Sequence, residues 1–226
     1  MEKRTFKDRL YTEFASIGKA LANPHRLELL DLLGQGERSV EDLAHEAALS
    51  LANASAHLQV LRRARLVEAD KRGLNVVYRL ATPEVYSLWR MLRDLGTAQF
   101  SEIDRLVEIY MADRQTLEPI SKDELRRRLA EDAVAVIDVR PGVEFQQGHI
   151  LGSRSVPISE LEQRLAEIPH DQEVVAYCRG PYCVYADEAV RLLRQHGIHA
   201  YRLDEGFPEW RAAGFPVAAT NDAAGE

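Results

Sequence analysis

LANASAHLQVLRRARLVEADKRGLNVVYRLA, residues 51–81, changes its period half-way along, and that change decides the first fold. Up to Leu66 the apolar positions Ala54, Leu58 and Leu61 recur at helical spacing. From Val67 two β-rich arms surround Lys71-Arg72-Gly73, which predicts a hairpin. Upstream, Leu49-Ser50 reads as a tight turn. SVEDLAHEAA, residues 39–48, reads as a helix capped by Ser39 with Asp42 in its first turn. HRLELLDLLGQG, residues 25–36, is a short helix closing at Gly34 or Gly36, and Asn23-Pro24 separates it from a periodic stretch over 5–21. Downstream a long helical pattern runs from Val85 to about Tyr110, with a break expected near Gly96.

Two short helices, a tight turn and a hairpin compose a winged helix-turn-helix. In that arrangement the second helix enters the major groove and the wing reaches phosphates or the minor groove. Leu43, Ala47, Ala54, Leu58, Leu61 and Leu66 form the face that buries against the other helices. That leaves Asn53, Ser55, His57 and Gln59 for base or backbone contact, and Arg62, Arg63, Lys71 and Arg72 for phosphates. The plainer readings stay open: a surface Arg or Lys is usually only solvated, and His57 can equally satisfy a backbone carbonyl.

Charge divides the chain. The whole sequence carries a formal net charge of -7. Residues 1–100 hold 15 Lys/Arg against 13 Asp/Glu, and residues 101–226 hold 14 against 23, so two modules with different partners are expected. Apolar residues make up 46%, enough for a sizeable core, and no apolar run reaches membrane-spanning length. The basic start MEKR leads into no apolar h-region, so no signal peptide is read there. Two cysteines are too few for a disulfide scaffold and favour a reducing cytoplasm.

Past Glu118-Pro119 the pattern alternates. Ser121 with Glu124 makes a capping-box pattern ahead of ELRRRLA. AVAVIDV (133–139), ISELEQRLAEI, EVVAYC (173–178), a helix over 184–195 and IHAYRL (198–203) follow in turn. Apolar strands separated by helices predict a small α/β domain with a mostly parallel sheet. The expected organisation is therefore a DNA-binding and dimerisation domain at 1–100, a connecting helix or linker at 101–117, the α/β domain at 118–217 and a disordered tail at 218–226.

Both cysteines lie in EVVAYCRGPYCVYADEAVRLLRQHG, residues 173–197. Cys178 ends a strand, and the chain from there to Cys183 must curl into a helix start. Backbone N–H groups of such a loop and the helix N-terminus favour a thiolate, and Arg179 can add positive charge. Against this stands the ordinary role of cysteine as a small buried hydrophobe.

LSLANASAHLQVLRRARLVEADKRGLNVVYRL, with LANPHRLELLDLL before it, resembles the recognition helix, wing and preceding helix of the ArsR/SmtB repressors over about residues 14–82. The resemblance implies a homodimer, formed through the first and last helices of the module, on a palindromic operator in double-stranded DNA. The thiolate pair that many relatives use for metal would fall near Arg38 to Asp42, where this chain reads RSVED without cysteine. His25, His45 and His57 are too few and too scattered for zinc, so no metal and no cofactor is expected.

VIDVRPGVEFQQGHILGSRSVP, VVAYCRGPYCVYADEAVRLLRQHG and YRLDEGFPEWRAAGFPV resemble the rhodanese domain over about residues 118–217. The resemblance implies that Cys178 accepts a sulfane sulfur as a persulfide, with Asp138 and Arg140 as structural carboxylate and arginine. Two departures matter. Cys183 stands where an arginine often closes the loop, and Pro181 removes one N–H from the cradle. A second thiol instead allows Cys183 to resolve an oxidised or persulfidated Cys178 to a disulfide. Together the two modules predict a repressor sensing reactive sulfur or oxidant through Cys178 and Cys183. The alternatives are a sulfurtransferase, a thiol-dependent oxyanion reductase tethered to DNA, or a docking module for a protein sulfur carrier.

Overall fold

The computed structural model describes residues 3–111, 114 and 116–220. The chain divides into two compact units, Met1–Gln99 and Phe100–Glu226. No helix among the described residues is long and apolar enough to cross a membrane.

In the first unit α1 (Lys3–Leu21) ends where Arg26 reaches back to the carbonyls of Lys19 and Ala20. Asn23 caps α2 (Pro24–Gln35), accepting the Arg26 N–H at 3.2 Å, with Pro24 at the first turn where its missing N–H costs nothing. β1 (Arg38–Ser39) leads into α3 (Val40–Glu46), whose cap Ser39 accepts the Asp42 N–H at 3.0 Å. Ser50 caps α4 (Leu51–Arg63) in the same way. β2 (Val67–Arg72) and β3 (Asn75–Leu80) pair antiparallel. The turn falls on Gly73-Leu74, with Gly73 at φ +64°, so Lys71 and Arg72 belong to the strand rather than the turn. β1 adds a third strand on β3, a pairing too short for the sequence pattern to register. All six residues of the expected apolar face are buried.

α5 (Pro83–Gln99) packs on α2, pinned by Trp89 Nε1 donating to Asp31 Oδ1 at 2.8 Å. A Cβ on Gly34 of α2 would stand 2.5 Å from two ring carbons of Tyr86 on α5. Gly34→Val is therefore expected to destabilise this unit by about 2 kcal/mol, overpacking outweighing the gain in helix propensity. Melting followed by Trp89 fluorescence measures it, and an unchanged midpoint would refute the close packing.

The second unit opens with α6 (Ser101–Tyr110). The helix break expected near Gly96 falls instead at Phe100, which is extended (φ -115°, ψ 99°). Glu102 and Asp104 in the first turn of α6 suit a fresh helix N-terminus, whereas an isolated glycine inside a helix is tolerated. β4 (Pro119–Ile120) and α7 (Lys122–Ala130) follow, with Ser121 accepting the Glu124 N–H at 3.2 Å. The Glu124 carboxylate is taken by Arg127 and Arg128. Then come β5 (Val134–Asp138), α8 (Gly142–Gln147), β6 (His149–Ile150), β7 (Arg154–Ser155), β8 (Glu173–Tyr177), α9 (Tyr185–Gln195), β9 (Ala200–Leu203), α10 (Phe207–Ala212) and β10 (Val217–Ala218). ISELEQRLAEI forms only a 3-10 helix over Leu161–Glu167.

Five strands make one parallel sheet in the order β4-β9-β8-β5-β7. β10 pairs with β6 outside it, so the closing strand includes Ala218, while residues 221–226 of the expected tail lie outside the described residues. Val174, Ala176 and Cys178 point to one face with Ala189, Val190 and Leu193 of α9. Val175 and Tyr177 point to the other with Phe207 and Trp210. Both faces are covered, which is why these strands read as continuous apolar runs.

Candidate functional site

Cys178 leaves the central strand β8 at its C-terminal end, where parallel α/β sheets place their ligand sites. It is 2% exposed, whereas Cys183, five residues on, is half-buried. The two are joined as a disulfide with Cα atoms 6.3 Å apart, within the usual span for such a bridge. The loop between them is tightened by the Cys183 N–H donating to the Gly180 carbonyl at 3.1 Å. From the opposite side the Phe207 N–H, at the start of α10, donates to the Cys178 carbonyl at 3.1 Å. Gly206 just before it lies so close that a Cβ there would fall on the Arg179 carbonyl and the Gly180 nitrogen. Arg114 donates from Nη1 to the Pro181 carbonyl.

Arg179 does not present its charge to the sulfurs. Its guanidinium donates from Nε at 2.9 Å and Nη2 at 2.6 Å to Glu144 Oε1 and lies over the Tyr185 ring. The expected local positive charge is thus neutralised by a carboxylate the sequence reading did not single out. Glu144 in turn sits 4.0 Å from Arg140 Nη1, and Arg140 is clasped by Asp138 through Nε at 2.9 Å and Nη2 at 2.5 Å. Arg140 also donates to the Gly148 carbonyl at 2.8 Å and lies 4.4 Å from the Phe207 ring centre. Burial works against the Arg140 charge, but Asp138 and Glu144 more than restore it, and its pKa stays raised. The result is a row of alternating charge from the end of β5 to the residue after Cys178, with Asp138, Arg140 and Glu144 buried and Arg179 half-buried at its end. Behind it the Tyr177 hydroxyl accepts the Ile150 N–H, and burial, then Asp138, push its pKa far up.

On α4 the other candidate residues divide. Asn53 and Arg62 are exposed, and Ser55 and His57 are half-buried. Gln59 donates from Nε2 to the Tyr78 hydroxyl at 3.2 Å and so leans toward the wing's inner side. His57 stacks obliquely on His25 at 5.6 Å. Burial, then the charges of Arg26 and His25, lower its pKa and so disfavour the imidazolium. Lys71 is exposed on the wing, but Arg72 makes a two-pronged pair with Glu37, and Arg79 is held by Glu68 and Asp70. Cation rows in a sequence do not reveal such distant carboxylates. Arg65, exposed at φ +58° just after α4, extends the Arg62-Arg63 run and was not singled out. Among the described residues no three His, Cys, Asp or Glu side chains gather where they could hold a metal ion.

With this geometry in hand, the comparisons with known proteins are specific. Residues 121–213 match the rhodanese-like domain family and residues 21–69 a helix-turn-helix domain family. The HTH-type transcriptional regulator Rv0324 of Mycobacterium tuberculosis is 43% identical over 211 residues, 93% of this chain and 92% of that protein. A sulfurtransferase of Allochromatium vinosum is 33% identical over 102 residues, 44% of this chain and 94% of that protein. A solution structure from Mycobacterium bovis, the homodimeric winged helix-turn-helix DNA-binding domain of a possible ArsR-family regulator, is 40% identical. It covers 44% of this chain and 91% of its own, with a TM-score of 0.41.

Proposed function

The chain belongs to the HTH-type transcriptional regulators in which an ArsR-type winged helix-turn-helix is joined to a rhodanese-like domain, and from that premise we propose a sulfur- or redox-responsive repressor. The observation that carries the reading is the bond between Cys178 and Cys183 at the mouth of the central strand. In the reduced pair, the Cys178 thiolate attacks the sulfane sulfur of a donor and becomes a persulfide, the donor leaving as its thiolate or sulfite. The Cys183 thiolate then attacks the Cys178 Sγ, forming the disulfide and releasing hydrosulfide. With a peroxide the first product is a sulfenic acid, and water leaves at the second step. Either route removes two electrons from the pair and passes them to the donor or oxidant.

Asn53, Ser55, His57, Gln59 and Arg62 on α4, with Lys71 on the wing, are the DNA-contacting set, and Arg72 joins it when its pair with Glu37 opens. Exposed apolar stripes support a homodimer on a palindromic operator: Phe6, Leu10, Phe14 and Ile17 on α1, and Leu88, Leu92 and Leu95 on α5. The cytoplasm is the compartment in which such a pair would cycle between dithiol and disulfide.

The test is binding of the full chain to DNA from just upstream of its own gene, reduced and after polysulfide, alongside Cys178→Ser. A change of about tenfold in affinity that requires Cys178 is expected, the size of an ordinary allosteric coupling. Equal affinity in both states would end the sensor reading. A second reading, slow sulfurtransferase chemistry at Cys178, is favoured by the likeness of the rhodanese-like region to the Allochromatium vinosum sulfurtransferase. It predicts steady turnover of a small sulfur donor.

A further inference from the structure

Inside the second unit, a cavity of about 580 Å³ opens between α6 and the β4 edge of the sheet. That volume is in the range of small-molecule sites. Its walls are of two kinds. Val107, Met111, Leu117 and Pro119 supply apolar surface, and Arg114 and Arg202 supply two guanidinium groups, with exposed Glu108 also lining it.

The arginines are underserved. Arg202 is 7% exposed, yet its Nε and Nη1 make no hydrogen bond; its shortest ion pair runs from Nη2 to largely exposed Asp204 at 2.9 Å. Arg114 Nε is likewise without a hydrogen bond. Buried Asp187 stands between them, each Nε 3.5 Å from one of its oxygens, and neither oxygen accepts a hydrogen bond. Arg191 acts on the same carboxylate, so the cluster holds more buried positive than negative charge. Burial and the neighbouring Arg202 charge both depress the Arg114 pKa. Polar groups sealed from water without partners cost free energy, and a buried excess of one charge costs more. A bound anion would offset that excess of positive charge.

The geometry points to a binding site for a small organic anion, its carboxylate-like head on Arg114 and Arg202 and its apolar body against Val107, Met111, Leu117 and Pro119. An inorganic oxyanion would leave the apolar walls unused. Glu108 in the lining disfavours a second negative group on the ligand, so the class is a monoanion. Arg114 also donates to the Pro181 carbonyl, so a wall of this site touches the cysteine loop directly, while neither cysteine lines the cavity.

Met111 lines the cavity and is one of only three methionines. The experiment is therefore methyl-resolved NMR of the full-length protein labelled at the methionine methyls. The probes are acetate, butyrate and hexanoate, with hexanol and sulfate as controls. Hexanoate is expected to move the Met111 signal saturably while exposed Met91 stays still. Acetate and sulfate should bind at least roughly tenfold more weakly, since buried methylenes add to affinity. Hexanol, lacking the charge, should be weaker by roughly tenfold as well, and so should hexanoate on Arg202→Gln. The proposal is overturned if Met111 stays unmoved up to about 20 mM hexanoate. It is also overturned if all methionines move together, or if sulfate or hexanol matches hexanoate. The wild-type titration decides the matter even where Arg202→Gln fails to fold.

Discussion

Glu144→Gln is expected to destabilise the rhodanese-like unit by about 3 kcal/mol, the range found when one partner of a buried ion pair is removed. The size follows from where the charge sits. Glu144 is 2% exposed, and its carboxylate lies between Arg140, which has no exposed surface, and Arg179. Asp138 balances one guanidinium, so neutralising Glu144 leaves the row Asp138, Arg140, Arg179 with an uncompensated positive charge in a low-dielectric interior. Glutamine keeps the shape and an acceptor oxygen for Arg179, so the loss reports charge rather than volume. The readout is Trp210 fluorescence during thermal unfolding in a Trp89→Phe background, Trp210 then being the only tryptophan. A drop of about 10 °C in that transition is expected. A shift under a degree would mean that water reaches the row and screens it.

How far the sequence announces all this depends on the distance over which each feature is decided. Caps are decided within four residues: Ser39 and Ser121 accept the expected backbone N–H, and Ser50, read from the sequence only as part of a turn, caps α4 in the same way. The apolar face of Leu43, Leu58 and Leu61 is decided within a few turns and is buried as read. Cys178 and Cys183 declare themselves by standing at a strand end before a helix, although nothing in the sequence says that they are bonded. Features with distant partners stay hidden. Arg179 is adjacent to Cys178, but its partner Glu144 is 35 residues away, so a charge read as serving the thiol serves the scaffold. Arg72 looks free for a phosphate until Glu37 arrives from the α2–β1 turn. The segment Leu161–Glu167 misleads for another reason: the spacing of Leu161, Leu165 and Ile168 is that of an α-helix, but over so few residues the pattern does not decide the helix type, and a 3-10 helix forms.

Gly206→Ala is the second large effect, and it tests how the cysteine loop is held rather than how it is charged. At φ -112° Gly206 occupies backbone space open to any residue, so an alanine there is not strained by its own dihedrals. In a tolerant setting the change would stabilise slightly by restricting the unfolded chain. Here the added Cβ lands on main-chain atoms of Arg179 and Gly180, and no rotamer change can move them aside. Relief requires α10 to back away from the loop, which breaks the bond from the Phe207 N–H to the Cys178 carbonyl and disturbs Phe207 and Trp210 in the core. Overpacking against backbone is expected to outweigh the entropic gain and cost about 2 to 3 kcal/mol. The Trp210 transition should fall by about 10 °C while the Trp89 transition of the first unit holds. If the loop's geometry governs the response proposed for Cys178 and Cys183, the variant should still bind DNA when reduced but lose most of its change in affinity with polysulfide. An alanine variant with unaltered melting would show that loop and helix separate freely, and the sulfur response would then have to be transmitted by the α9 side of the loop alone.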